Sequence, residues 1–324
     1  IEPTSNTAEA AIEKGVRTET VFFGQDTAST IAGKYGQPDL LLGNNVLAHV
    51  PDLNDFVGGM KSLLRPNGTI TMEFPHLLNL MKLNQFDTIY HEHFSYLSLL
   101  TVDQVFRHHG LVVFDVEELP THGGSLRIYA RHADDPRPVS PAVGAVIDRE
   151  KDEGLDSLDE YARFEARVVE TKRSILDFLI EQKRLGKSIA GYGAPGKGNT
   201  LLNYCGIRTD FLDYTVDRSP HKHGTYTPGT RIPILVPDTI KETRPDFLLI
   251  LQSETTNEFP ELGTSLDFGE EERIHLRLFS GEAVTDPAGE FQPAVRGISF
   301  TRFRILDAWS PTDDPENFPA SEWA

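Results

Sequence analysis

The chain has 324 residues, more than a single domain usually holds, so its length predicts two domains. Its 31 Lys and Arg against 49 Asp and Glu give a net charge of −18, which argues against a nucleic-acid partner because affinity for a phosphate backbone depends on clustered cations. The single cysteine, Cys205, excludes a disulfide and a four-thiolate zinc site within this sequence, and no apolar run reaches membrane-spanning length, which predicts a cytoplasmic protein without a membrane partner.

The first part of the chain alternates helical and extended patterns. In chain order, the predicted elements are a helix over 7–14, a short strand over 20–23, a helix over 27–35, a strand over 39–43, a helix over 53–64 and a strand over 69–74. Strand, helix and strand joined by short turns predict a parallel α/β sheet. His49 follows one strand, where ligands collect in open α/β sheets, although a helix-capping loop explains it equally.

The stretch from 85 to 96 is the main candidate for a catalytic segment, because it places acids, imidazoles and phenols side by side. Deprotonating a carbon next to a carbonyl needs a base that titrates near neutral pH, a group that holds its tautomer, and a donor for the enolate oxygen. Tyr90, Glu92 and His93 offer all three. Two other interpretations are a solvated polar loop, and a metal pair formed by His91 and His93.

A Gly-rich turn comes after a predicted helix over 102–109 and a predicted strand over 111–116. His122, Gly123 and Gly124 lead into a further strand that carries Arg127. The glycines admit close backbone approach, so this cluster is a candidate ligand site. A hairpin turn with a solvated histidine explains the same residues equally well.

The middle of the chain predicts a linker over 134–143 and then a long helix. Ser157 and Glu160 have the spacing of a capping box, and Gly186 ends the helix. The apolar residues that line its predicted buried face are Leu158, Tyr161, Phe164, Val168, Ile175, Leu176 and Leu179.

A second α/β unit begins at 188, with strand, Gly-rich turn and helix in order. Gly191, Gly193 and Gly196 match G-x-G-x-x-G, and Asp217 ends the next predicted strand, over 211–217, as in dinucleotide sites. Lys197 is placed to meet a phosphate, but Gly198 follows it, so the hydroxyl of a P-loop is missing. A purely structural turn is the alternative. Further strands are predicted over 247–251, 275–279 and 298–304, and an acidic tail over 311–324.

Several of these motifs together carry a family resemblance. The Asn44-Asn45-Val46-Leu47-Ala48-His49 turn before the helix over 53–64 resembles class I S-adenosylmethionine-dependent methyltransferases. The chain is also similar to the sugar C-methyltransferases that act on nucleotide-linked keto sugars, in the runs Phe86 to Phe94, His122 to Ser125, Gly191 to Ala194 and Thr227 to Pro233.

The resemblance implies a role for each of the matched residues. His93 would be the base that takes the proton beside the sugar ketone, with Tyr90 and Glu92 orienting it or steadying the enolate. The implied cofactor is S-adenosylmethionine, with Glu2 binding its ribose hydroxyls and Asn44 beside it; Asn45 and His49 are predicted to bind it as well. The implied substrate is a nucleotide-linked keto sugar, and the residues predicted to bind it are His122, Gly123, Gly124, Arg127, Gly193, Lys197 and Asp217.

The resemblance also implies the fold class and the domains. We expect an α/β protein with a partial class I methyltransferase domain over 1–133 and a linker and long helix over 134–186. A second Rossmann-like domain would then cover 187–285, and a tail of unknown role 286–324. The family's four-cysteine zinc segment and its first strand with the Gly-rich cofactor loop are not in this sequence, so the resemblance implies an N-terminally incomplete member.

The sequence therefore predicts C-methylation of a nucleotide-linked keto sugar by S-adenosylmethionine, with His93 as the base. One alternative is an NAD-dependent oxidoreductase built on the loop of Gly191, Gly193 and Gly196. The other is a non-catalytic protein that binds a nucleotide sugar.

Overall fold

The computed structural model describes residues 1–251 and 304–307. The chain divides into two compact units. Unit 1 comprises Ile1–Leu80 and His91–Tyr161, and unit 2 comprises Met81–Tyr90 and the described residues from Ala162 onward. In the part of the chain that the structure describes, no helix is both long and apolar enough to cross a membrane.

Unit 1 is a four-stranded mixed sheet with helices packed on it. Its elements are α1 (Ser5–Glu13), α2 (Gln25–Tyr35), β1 (Leu40–Asn44), α3 (Leu53–Leu63), β2 (Thr69–Pro75), α4 (Leu77–Lys82, which ends in unit 2), α5 (Leu99–His108), β3 (Leu111–Leu119), β4 (Ser125–His132) and α6 (Pro141–Asp152). The strand order is β1-β2-β4-β3, with β1 parallel to β2 and β4 antiparallel to both of its neighbours.

Side-chain alternation gives this sheet one apolar face and one polar face. The apolar face joins α3, α5 and α6 in a single core whose members include Phe56, Met60, Ile70, Phe74, Val102, Phe106, Leu126, Ile128 and Val146. Glu73 and Arg127 are directly opposite one another on the other face. β1 is at the edge of the sheet, and its Leu40 and Leu42 are 53% and 66% exposed.

Unit 2 is built around a second, mainly parallel sheet. Its elements are α7 (Leu158–Arg184, whose first turn belongs to unit 1), β5 (Ile189–Tyr192), α8 (Gly196–Cys205), β6 (Thr215–Val216), β7 (Ile234–Leu235), α9 (Thr239–Thr243), β8 (Phe247–Ile250) and β9 (Arg304–Asp307). The strand order is β7-β6-β5-β8-β9, with the first four strands parallel and β9 antiparallel. The predicted α/β class is therefore confirmed, with mixed sheets.

Local patterns predicted most of these elements, and the exceptions have identifiable reasons. Residues 20–23 form no strand, and Glu2 does not end one; the Glu2 N–H donates to the Glu19 carbonyl in an isolated contact. The predicted strand over 211–217 shrinks to Thr215–Val216, because the residues before it form a turn.

The middle of the chain also differs from its prediction. The predicted linker ends in a helix, α6, which begins with Pro141 after the capping residue Ser140 and buries Val143 and Val146. Prolines and charges in the preceding loop hid this start signal. Leu158 is 85% exposed, so it does not belong to the buried face of α7.

Three predicted segments fall wholly or largely outside the described residues: the strands over 275–279 and 298–304 and the tail over 311–324. The domain limits at 133, 186 and 285 stay predictions.

Candidate functional site

The segment that carries His93 is a coil of turns, neither extended nor helical. It is attached to the short 3-10 turn Leu47–His49 that follows β1. The N–H groups of Phe94 and Ser95 both donate to the carbonyl oxygen of Ala48, at 2.9 and 3.2 Å. The end of a parallel strand and the segment after residue 90 therefore meet in one place within unit 1.

Two imidazoles and a phenol lie together at this attachment. The rings of His49 and His93 are 4.7 Å apart between centroids and meet at 70°. The ring of Tyr96 lies on His93 in a similar edge arrangement, at 5.6 Å and 76°. His93 and Tyr96 are half-buried, whereas His49 is exposed. An ionisable ring that is partly shielded and adjacent to a second imidazole is suited to proton transfer.

The tautomer of His49 follows from its hydrogen bond. Its Nδ1 lies 2.9 Å from the carbonyl oxygen of Glu92, and a carbonyl oxygen only accepts. Nδ1 therefore carries the hydrogen, and in the neutral ring Nε2 keeps its lone pair. The same bond fixes the backbone one residue before His93.

The other predicted catalytic residues are placed differently. Glu92 is exposed, and the contact that it makes with His49 is through its main-chain carbonyl. Tyr90 belongs to the short stretch Met81–Tyr90 that clusters with unit 2. Tyr96 was not singled out from the sequence, although its position three residues after His93 was a usable signal.

Near the end of β1, Asn45 presents a buried acceptor. Asn45 has a left-handed φ of 55°, and its N–H donates to the Glu73 carbonyl at 2.8 Å. Its side-chain Oδ1 is buried and has no hydrogen-bond partner among the described residues. A buried orphan acceptor calls for a donor. The ammonium and hydroxyl groups of S-adenosylmethionine, the predicted cofactor, are donors that this acceptor can take.

Asn44 and Glu2 are the other predicted cofactor residues. Asn44 is exposed at the carboxyl end of β1, directly opposite Glu73 of β2. One carboxylate oxygen of Glu2 accepts the Thr4 N–H at 2.8 Å, and this bond lowers the pKa of the carboxyl. The carboxylate is thus ionised and able to accept further donors.

The predicted turn at 121–124 is present, and its glycines are required by geometry. His122, Gly123 and Gly124 have φ of 55°, 80° and 110°, and a Cβ on Gly124 would lie 2.2 Å from Asn79 Nδ2. His122 is exposed. This turn needs glycine for its own conformation and packing, whether or not a ligand approaches it.

Arg127 is held by carboxylates on the polar face of the sheet. Its Nη2 donates to Glu73 at 2.8 Å and its Nη1 to Glu117 at 3.4 Å. Glu73 is almost fully buried and also accepts the Thr121 hydroxyl at 3.1 Å. Sequence reasoning missed Glu73, because an acidic residue inside a strand gives no local sign of a partner on another strand.

In unit 2, the backbone of the Gly-rich loop is largely engaged within the protein. The Gly193 N–H donates to Val216 O at 2.7 Å, and its carbonyl accepts the Thr215 hydroxyl at 2.8 Å. The Ala194 N–H donates to Asp217 Oδ2 at 2.8 Å. The amides aimed along the axis of α8 are those of its first turn, residues 196–198, where Lys197 lies.

Asp217 forms a latch with Lys222 that closes this loop. Lys222 Nζ donates to Asp217 Oδ2 at 2.9 Å and to the Ala194 carbonyl at 3.1 Å, and Ser219 N–H donates to Asp217 Oδ1 at 2.8 Å. Burial alone would raise the pKa of the Asp217 carboxyl, but these hydrogen bonds outweigh it and hold the pKa below its ordinary value. Lys222, five residues after Asp217, was missed from the sequence.

Among residues 1–251 and 304–307, no group of three or more His, Cys, Asp or Glu side chains is arranged to hold a metal ion. The pairing of His91 with His93 as metal ligands therefore gains no third ligand from the described residues.

Comparison with known proteins bears on both units. Residues 2–116 match the family model described as a methyltransferase domain, and residues 120–264 match the one described as the C-methyltransferase C-terminal domain. The chain is 37% identical to the C-methyltransferase NovU of Streptomyces niveus over 251 residues. This aligned region covers 78% of the chain. It spans about 60% of the length of that relative.

Solved structures give weaker likenesses. An O-methyltransferase family protein from Burkholderia thailandensis aligns with a TM-score of 0.29 and 17% identity, covering 40% of each chain. Magnesium protoporphyrin IX methyltransferase from Synechocystis PCC 6803, with bound SAH, aligns with a TM-score of 0.25 and 14% identity over 29% of this chain and 44% of its own.

Proposed function

Because the chain belongs to the S-adenosylmethionine-dependent C-methyltransferase family, as its motifs predicted, we propose that it methylates a carbon of a nucleotide-linked keto sugar. The observation that carries this proposal is the group of His49, His93 and Tyr96 at the end of β1. A carbon nucleophile requires a base, and this group supplies imidazoles at the edge of the sheet where ligands collect in such folds.

In the proposed reaction, His93 accepts the proton from the carbon beside the ketone. The electron pair of that C–H bond forms the enolate, whose carbon then takes the methyl group. When bound, S-adenosylmethionine supplies this methyl on a sulfonium, and the C–S bond electrons leave with the sulfur. General base catalysis of this kind contributes about 10²- to 10⁴-fold to the rate.

The neighbours of His93 have separate roles in this scheme. His49, through its bond to the Glu92 carbonyl, fixes the backbone that leads into His93, and its Nε2 is a second candidate base. Tyr96 is a candidate donor for the enolate oxygen. Tyr90 and Glu92 remain proposed orienting residues on the strength of the family motif.

The proposed cofactor residues are Asn45, Asn44 and Glu2. The buried Oδ1 of Asn45 would accept a donor of S-adenosylmethionine, and the Glu2 carboxylate would accept ribose hydroxyls. His49 was predicted to bind the cofactor as well. Its contacts with Glu92 and His93 favour the positioning role given above.

We propose that unit 2 binds the nucleotide part of the substrate. The first turn of α8, with Lys197, would meet the phosphates, because helix N-termini bind anions. Gly193 and Asp217 would act indirectly, since their polar groups hold the loop in shape. His122, Gly123, Gly124 and Arg127 stay predicted substrate residues. The absence of a nucleic-acid partner and the cytoplasmic location also stay predictions.

An NAD-dependent oxidoreductase is the less favoured alternative. In dinucleotide sites, the acidic residue after the second strand accepts the ribose hydroxyls. Here both oxygens of Asp217 already accept hydrogen bonds from within the protein, including one from the Lys222 ammonium. The Asp217 carboxylate is thus already engaged in holding its own loop, and the alternative explains none of the residues around His93.

The proposal is tested by supplying methyl-labelled S-adenosylmethionine with a panel of nucleoside-diphosphate-linked keto sugars, and by calorimetric titration with S-adenosylmethionine and NAD. Label transferred to sugar carbon supports it. Binding of NAD without S-adenosylmethionine would establish the oxidoreductase alternative instead. Binding of a nucleotide sugar, with neither cofactor bound, would indicate the non-catalytic alternative.

A further inference from the structure

A histidine and a glutamate form a fully buried pair that contacts the residues following the proposed catalytic segment. His76 follows β2, and Glu150 lies near the end of α6. His76 Nε2 is 2.7 Å from Glu150 Oε1, and neither side chain is exposed. Buried polar atoms are costly unless they are paired, and His76 Nδ1 is buried without a hydrogen-bond partner among the described residues, so a pair at this depth needs an explanation.

Glu150 accepts two more hydrogen bonds, both from the start of α5. The Leu99 N–H donates to Oε1 at 2.6 Å, and the Leu100 N–H donates to Oε2 at 2.7 Å. The next amide, that of Thr101, donates to the hydroxyl of the capping residue Ser98 at 3.1 Å. The first turn of α5 is therefore completed by one carboxylate and one cap.

The backbone at His76 contacts the same stretch of chain at Leu97, two residues before Leu99. It forms an isolated parallel bridge with Leu97, and the next residue, Leu77, donates its N–H to the Leu97 carbonyl at 2.9 Å. A carboxylate only accepts hydrogen bonds, so with Glu150 as a carboxylate His76 Nε2 is the donor in the pair. The pair thus joins the end of β2, the residues after Tyr96 and the start of α5.

We propose that His76 and Glu150 are positioning residues for His93, an inference that rests on the proposed function. The segment is held at one end by Ala48 and His49 and at the other by this pair. His93 lies within the first attachment, between Glu92 and Phe94, and its ring contacts that of Tyr96, which lies between Ser95 and Leu97. Two hydrogen bonds from Leu99 and Leu100 to the Glu150 carboxylate fix the exit from this segment, and the bond from His76 holds that carboxylate in place.

The bonds are directional, which distinguishes them from ordinary core packing. Apolar residues of similar volume often replace a buried ionic pair without loss of stability. Such residues would not fix where Leu97 and Leu99 lie to within the tolerance that proton transfer requires, since a displacement of about 1 Å costs about 100-fold in rate.

The test uses four single variants of the full chain. Glu150→Gln replaces one acceptor oxygen with an amide that cannot accept the Leu100 N–H. His76→Leu removes the donor to Glu150, whereas His76→Gln keeps an N–H at a similar reach. Asp148→Asn, on an exposed residue of the same helix, is the matched control. For each we measure kcat, the Kd of S-adenosylmethionine and the melting temperature, with turnover assayed well below the lowest melting temperature.

We expect kcat to fall about 100-fold in Glu150→Gln and His76→Leu, with the Kd of S-adenosylmethionine nearly unchanged. His76→Gln and Asp148→Asn should stay close to the parent. Unchanged kcat in His76→Leu, whatever its melting temperature, would overturn the proposal, and so would equal losses in His76→Gln and His76→Leu. The two His76 variants decide the question even if Glu150→Gln does not fold.

A second measurement separates this inference from the proposed function. The ring-proton NMR resonances of His93 should shift in His76→Leu but not in His76→Gln or Asp148→Asn. If the parent transfers no methyl group, the proposed function fails, while these resonances still report on positioning. Identical His93 resonances in the parent and His76→Leu would overturn the positioning role alone.

Discussion

His49 and His93 lie edge to face with 4.7 Å between their ring centroids. One belongs to the turn after β1 and the other to the segment before α5, so the contact forms only when unit 1 is folded. Because His49 donates through Nδ1 to the Glu92 carbonyl, its ring is fixed relative to the main chain of the segment it touches. Variants of His49 can therefore test the hold on the main chain, while variants of His93 test the proposed base.

Replacing His93 with Asn should lower kcat for methyl transfer by about 10²- to 10⁴-fold, because an asparagine amide cannot accept the proton from the sugar carbon. Exchange of the sugar proton with deuterated solvent should fall in parallel. S-Adenosylmethionine affinity should be nearly unchanged. His91→Asn, an exposed histidine two residues away, is the matched control. Retained proton exchange in His93→Asn would remove His93 as the base.

Two variants of His49 distinguish a positioning role from a base. Asn keeps a side-chain donor near the place of Nδ1, whereas Phe keeps a ring but has no donor. If His49 mainly holds the Glu92 carbonyl, His49→Phe should lower kcat about tenfold, the value of one hydrogen bond, and His49→Asn should lose less. Equal and large losses of kcat in both variants would instead make His49 the base.

The difference between what the sequence predicted and what it missed is one of distance along the chain. The helix α3 was predictable because its apolar residues repeat every three or four positions and Asp52 caps it, its carboxylate accepting the Asp55 N–H. The Gly-rich loop before α8 was predictable for the same local reason.

Pairs formed across the sheet or between elements have no such signal. Glu73 and Arg127 are 54 positions apart, and His76 and Glu150 are 74 apart. The local sequence around one member of such a pair therefore does not predict the other. Leu158 shows the converse error, because its spacing fits the buried face of α7 but nothing packs over it. A periodic pattern predicts which residues share a face, and tertiary packing decides how much of that face is covered.

Stability in acid should depend on Asp217. The hydrogen bonds of the latch hold the folded-state pKa of its carboxyl below the ordinary value of 3.8, which applies to the unfolded chain. Its ionised form therefore makes its whole contribution to stability above about pH 3.8. This contribution is lost as the pH falls through the folded-state pKa. The free energy of unfolding should fall less in Asp217→Asn than in the parent between about pH 5 and pH 2. Asp210→Asn, an exposed control, should follow the parent; identical slopes in all three proteins would contradict the latch.

Cys205 should act as a reporter of unfolding. Burial raises the pKa of its thiol to about 12, so almost no thiolate is present at pH 8 in the native protein. Labelling by a disulfide reagent such as dithiobis-nitrobenzoate should be slow in buffer and fast in guanidinium. The chain has one cysteine, so the absorbance change reports a single site. Rapid stoichiometric labelling of the native protein would contradict the burial of this side chain.

The two glycines in the first turn of α8, Gly196 and Gly198, should differ in role, one structural and the other facing the ligand. A Cβ on Gly198 would lie 2.7 Å from Leu251 O and 2.8 Å from Leu251 Cβ, so Gly198→Ala must push α8 away from the end of β8. A Cβ on Gly196 would meet nothing within 4 Å. We expect Gly198→Ala to destabilise the protein by about 1–3 kcal/mol in denaturant titrations.

Gly196→Ala should leave stability unchanged or raise it by up to about 1 kcal/mol, because Ala restricts the unfolded chain. If the first turn of α8 meets the phosphates, the added methyl should nevertheless weaken binding of a nucleoside diphosphate, measured by calorimetry. A stable Gly196→Ala variant with undiminished affinity would show that the phosphates do not approach this turn, and the loop would then serve only to let strand and helix pack closely.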